Sequence, residues 1–169
     1  MNDRPSLAES DTTALHLWWL DHYRSIIEGK LRGLSDADLR SSRLPSGWSP
    51  LELLKHLVFM EQRWLLWGFG GQAVEHPWGD SGDDPDGPWK VGADETLDDL
   101  LGQLHERGEV TRQLVGGAHP STFAAAGGRF GPDERPTLNW ILFNVLQEYA
   151  RHAGHLDVAR ELADGATGE

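Results

Sequence analysis

The chain has 169 residues, 38% hydrophobic and 25% charged, the balance of a single globular domain over 1–169 with apolar mass for a sizeable core. Its formal charge of −12 opposes phosphate backbones and anionic membrane surfaces, so neither a nucleic acid nor a membrane is an expected partner. Without Cys there is no disulfide, thiolate ligand or intrinsic thiol nucleophile. Without an apolar leader, or any apolar run near the roughly 20 residues of a bilayer-spanning helix, a soluble cytoplasmic protein is expected.

In chain order, residues 13–34 place Leu15, Trp18, Trp19, Ile26, Ile27 and Leu34 at helical spacings and predict a first amphipathic helix. Ser35-Asp-Ala-Asp38 resembles a helix start and predicts one short turn before Pro45-Ser-Gly-Trp48 breaks the chain. Ser49-Pro50-Leu51-Glu52 combines an N-cap Ser, a Pro at the first helical position and a Glu three residues after the cap; a second long helix is expected from Pro50 to about Trp67. Gly71 to Glu95, rich in Gly, Pro and acids, reads as a long irregular loop. Its Asp83–Gly87 run lacks the first and last ligands of a calcium-binding EF-hand loop, so a calcium site is not expected. Exposed indoles at Trp78 and Trp89 would be costly, which predicts that the loop folds back over the mouth of the fold. Thr96-Leu-Asp-Asp99 opens a third helix carrying Leu97, Leu100, Leu101, Leu104 and Leu114, stopped at Gly116-Gly117. A Gly- and Ala-rich loop follows. Thr137 then caps a fourth helix with Leu138, Ile141, Leu142, Val145, Tyr149, Leu156, Ala159 and Leu162 on its apolar side, as far as Asp164-Gly165. No segment alternates with period two. The fold class expected is all-α, a four-helix bundle with long crossover loops.

Polar residues on the apolar stripes point to chemistry. Glu148 and His152 are four apart on the fourth helix and leave one face together, alongside Ile141, Val145 and Ala159. A buried carboxylate costs several kcal/mol unless something positive meets it, and a divalent ion would. His56, between Leu53, Phe59 and Met60 on the second helix, supplies a third candidate ligand. Two imidazoles and one carboxylate leave coordination positions open, the catalytic rather than the structural pattern, and suit Zn or Ni, with Fe(II) or Mn as alternatives. His155, one turn from His152, either replaces Glu148 as ligand or stands behind the site as a hydrogen-bond partner, the second being favoured. His22, beside Asp21, reads as a surface residue or a similar outer partner. His16, His76, His105 and His119 read as solvated, and Trp18, Trp19, Trp64 and Trp140 as core. No phosphate-cradling glycine motif or nucleophile elbow is present, and no residue stands out as a directly catalytic group.

Three segments carry a family likeness: Pro45-Ser-Gly-Trp-Ser-Pro-Leu-Glu-Leu-Leu-Lys-His-Leu-Val58, Thr137-Leu-Asn-Trp-Ile-Leu142, and Glu148-Tyr-Ala-Arg-His-Ala-Gly-His-Leu-Asp157. With them, nearly the whole chain resembles the DinB-like four-helix bundle superfamily and, within it, the mycothiol-dependent branch. The resemblance implies one divalent metal held by His56, Glu148 and His152. It also implies activation of a low-molecular-weight thiol such as mycothiol for transfer to an electrophilic small molecule. The thiol and the electrophile are then the expected partners, with the protein a monomer or homodimer. A metal-dependent hydrolase, or a metal-binding stress protein without turnover, are the alternative readings.

Overall fold

The computed structural model describes residues 4–79 and 90–167. These form α1 (Thr12–Arg32), the short α2 (Asp36–Arg40), α3 (Pro50–Glu61) with a π-helical continuation over Gln62–Phe69, α4 (Leu97–Val115) and α5 (Leu138–Asp164). No strand occurs among the described residues, only an isolated bridge between Phe123 and Thr137. None of their helices is long and apolar enough to cross a membrane.

Local chemistry explains the helix boundaries. Ser49 and Glu52 close a reciprocal capping box on α3, and Thr96 and Asp99 do the same on α4. Asp11 accepts from the backbone of Thr13 and Ala14, Thr137 from Trp140, and Gly165 ends α5 in the left-handed conformation at φ 77°. The helix begun at Pro50 runs to Phe69, but its last eight residues are wound as π-helix rather than α-helix. The wide turn is visible where the Gly70 N–H reaches the Leu65 carbonyl, five residues back, at 2.8 Å.

Four long helices close a ring in which α1 packs on α5, α5 on α3, α3 on α4 and α4 on α1. The pairs α1/α3 and α4/α5 face each other across the core, so the chain crosses the bundle twice. The core is built from Leu20, Ile27, Leu53, Leu57, Leu101, Leu104, Ile141, Val145 and Leu156, all essentially inaccessible, each such side chain contributing about 1.5–3 kcal/mol.

Three expectations are corrected. The buried stripe of α1 is Thr13, His16, Leu20, Arg24, Ile27 and Leu31, so the stripe chosen on hydrophobicity is mostly its half-buried shoulder. His16 is buried, with Nδ1 2.7 Å from the Thr12 carbonyl, rather than solvated. Trp140 is 53% exposed and Leu162 50%; neither is core, while Trp18, Trp19 and Trp64 are half-buried. His76, His105 and His119 are exposed as expected.

Candidate metal centre

His56 on α3 and the Glu148/His152 pair on α5 converge where these helices pack together. A carboxylate oxygen and one nitrogen from each imidazole lie within 4.8 Å of one another. Glu148 Oε2 is 3.2 Å from His152 Nε2 and 3.9 Å from His56 Nε2, and the two imidazoles meet edge to face with centroids 4.9 Å apart. Two neutral imidazole nitrogens with one carboxylate oxygen fit a borderline divalent ion, and three protein donors leave positions for exogenous groups.

Burial differs across the three. His152 is 5% exposed, whereas His56 and Glu148 are half-buried, so the desolvation of Glu148 is smaller than a core position would impose. Burial, reinforced by His56, His155 and Arg151, pushes the His152 pKa down to about 3. Its imidazole is therefore neutral at physiological pH, as a ligand must be.

His155 lies behind His152, the two Nδ1 atoms being 3.3 Å apart, and its ring packs 5.9 Å from Trp48. If His152 offers its Nε2 lone pair to an ion, its proton must sit on Nδ1, where His155 can accept it; that hydrogen bond selects the tautomer. His22 stacks on Trp18 at 5.0 Å within an aromatic cluster on α1 that also includes Trp19 and Tyr23. Of the two loop tryptophans, Trp78 does fold back, meeting Trp67 edge to face at 5.8 Å, although it stays 49% exposed. Trp89 and most of the acidic run lie outside the described residues.

Beneath the centre is a polar network that sequence reasoning missed. Glu61, fully buried on α3, accepts from the Tyr149 hydroxyl at 2.6 Å and Arg24 Nε at 3.2 Å, and also from Arg24 Nη2 and the Thr111 hydroxyl. Arg24 continues to Asp21 at 2.6 Å, and Asp21 also pairs with Arg112. All four long helices thus meet at one carboxylate. Burial and the neighbouring Glu61 drive the Tyr149 pKa well above its usual value, fixing it as a donor. A usable signal existed: Glu61 follows the apolar run Leu57–Met60 and precedes Trp64–Leu66 on the same helix, open to the argument applied to Glu148.

A family model described as mycothiol-S-transferase matches residues 16–165. The chain belongs to the mycothiol-S-transferase family. Comparison with curated proteins gave no match. The family match spans all three candidate ligands and both crossovers of the bundle, in agreement with the resemblance carried by the His56 and Glu148–Asp157 segments.

Proposed function

We propose that the protein is a divalent-metal-dependent thiol S-transferase, with His56, Glu148 and His152 as ligands, that joins mycothiol or a related low-molecular-weight thiol to an electrophilic small molecule. The observation that carries this reading is the convergence of those three donors within 4.8 Å on two helices of a mycothiol-S-transferase family chain. A bound ion, Zn or Ni before Fe or Mn, would supply the Lewis acidity that lowers the pKa of a thiol toward neutrality. The chain's own residues do the rest. Glu148 contributes the single negative charge of the ligand set, leaving it short of neutralising a divalent ion and so able to favour an anionic sulfur. His152, neutral through burial, presents Nε2, and His155 holds its ring orientation through the nitrogen contact at 3.3 Å. His155 stands behind His152 rather than among the converging donors, which favours an open catalytic set over a closed structural one.

In the reaction the thiol sulfur bonds to the electrophilic carbon, the thiol proton is released, and the carbon's leaving group departs with its electron pair. The absence of Cys accords with a sulfur brought by the cosubstrate. The test is to load the purified protein with Zn or Ni and follow mycothiol consumption with a chlorodinitrobenzene as electrophile. Turnover in wild type, lost in His56→Ala and on chelation, is the expected result. A metal-loaded protein that leaves thiol and electrophile unreacted across a panel of such pairs would overturn it.

A further inference from the structure

A second feature lies further along the same helix pair. Trp64, two turns beyond His56, meets Trp140, two turns before Glu148, with ring centroids 5.5 Å apart. This aromatic contact bridges the helices as the candidate ligands do, on the order of 10 Å from them by helical rise. The Arg129 guanidinium lies 3.9 Å above the Trp64 ring and 5.0 Å from Trp78, while Arg63, itself buried, approaches the same Trp78 at 4.9 Å.

Two guanidiniums sharing one indole repel each other, and a purely structural stack would need only one. Burial and then Arg63 lower the Arg129 pKa, the sign of a cation held against its preference. Arg129 Nη1 is buried without a hydrogen-bond partner, and among the described residues no carboxylate pairs with Arg129, in a chain whose net charge is −12. The placement is built in by the backbone. The Arg129 N–H donates to the Trp67 carbonyl of the π-helix at 3.1 Å, and Gly128 lets the chain come so close that a Cβ there would lie 2.1 Å from that oxygen. Beside the cation, Trp78 and Trp140 are about half exposed and give an accessible aromatic floor.

We infer that Arg129, supported by Arg63 and floored by Trp64, Trp78 and Trp140, is a binding subsite for the carboxylate end of an organic acid with an apolar body. A planar guanidinium with no carboxylate partner among the described residues suits a carboxylate, and the indoles suit the attached hydrocarbon. Resting on the transferase reading, this names the electrophilic cosubstrate as an amphipathic carboxylate whose reactive carbon reaches back about 10 Å toward the metal centre.

The test titrates the full-length chain with naphthoate and with its neutral analogue naphthamide, by calorimetry and by the indole N–H resonances, in zinc-loaded and chelated samples. Naphthoate is expected to shift the Trp64 and Trp78 signals, to bind at least about tenfold more tightly than naphthamide, and to do so with or without metal. Arg129→Gln should remove that preference and Arg129→Lys should restore part of it. Should Arg129→Gln fail to fold, the comparison of the two ligands on wild type decides. Equal affinity for the two ligands, loss of naphthoate binding on chelation, or an unchanged preference in a folded Arg129→Gln would overturn the inference. A protein that binds no metal yet shows the Arg129-dependent preference would refute the transferase reading and leave this one standing.

Discussion

The Tyr149 hydroxyl donates to Glu61 Oε2 at 2.6 Å, so the residue next to Glu148 anchors α5 to the residue five positions after His56. The two helices that carry the candidate ligands are therefore fixed to each other one step below the site. Tyr149→Phe is expected to destabilise the protein by about 1–3 kcal/mol, since a buried carboxylate loses a donor. Glu61→Gln should cost more, about 3–5 kcal/mol, because the Arg24 charge is left buried without its counterion. The double variant Arg24→Met/Glu61→Leu should be less destabilised than the sum of its singles. Urea denaturation of wild type, these variants and the singles Arg24→Met and Glu61→Leu measures all of this, and additive losses would mean that the contacts do not act as one network.

Metal loading should raise the melting temperature of wild type and leave His56→Ala almost unchanged. In Glu148→Gln the ligand charge is lost but the shape is kept, so affinity should fall by at least about 10- to 100-fold and the metal-induced shift should shrink accordingly. Because Glu148 is only half-buried, the metal-free variant should be about as stable as wild type. Identical metal-induced shifts in wild type and Glu148→Gln would transfer the ligand role to His155.

Acid should weaken the metal-free fold through His152. Its folded pKa, about 3, lies below the ordinary value of 6.5, so the unfolded chain binds the extra proton first. The contribution of the neutral imidazole is complete above pH 6.5 and is lost progressively as the pH falls toward 3, amounting to about 2 kcal/mol at a pH of about 5. The urea midpoint should fall over that range and fall less in His152→Asn. Parallel curves for the two proteins would assign the acid sensitivity to other groups.

Two glycines on α4 should respond oppositely to alanine. A Cβ at Gly108 would meet the Arg24 guanidinium at 3.2 Å, and that group cannot retreat because Glu61 and Asp21 hold it. Gly108→Ala should therefore destabilise despite its helix propensity. Gly102 has nothing within 4 Å, so Gly102→Ala should stabilise by up to about 1 kcal/mol. Thermal melts that move in the same direction for both would show that the Arg24 cluster yields.

Elements defined by local chemistry were legible from the sequence: the Ser49–Glu52 and Thr96–Asp99 boxes, Pro50 at the start of α3, and Gly165 at the end of α5. The meeting of His56 with Glu148 and His152 was legible too, because each lies on a stripe otherwise apolar. Arg24 and His16 were not, since their burial is made tolerable by groups that hydrophobic periodicity does not register. Arg24 depends on Glu61, in another helix, and His16 on a single main-chain carbonyl. The π-helical winding after Glu61 also lacks a mark of its own, as Gln62–Phe69 carries no proline or cap and would continue an α-helix equally well. Arg129 and Trp64 are far apart in sequence, and only the docking of the Gly127–Gly128 turn on the π-helix stacks them.

The junction at Glu61 also bears on the order of folding. Arg24, Thr111 and Tyr149 reach that carboxylate from three different helices, and the full set of contacts is complete only when all are docked. Such long-range closure belongs to the last stage of assembly, after helices and apolar pairs have formed. Interactions absent from the transition state slow unfolding without hastening folding. The buried carboxylate is then a latch on the finished bundle, lengthening the lifetime of the native state rather than guiding the chain toward it.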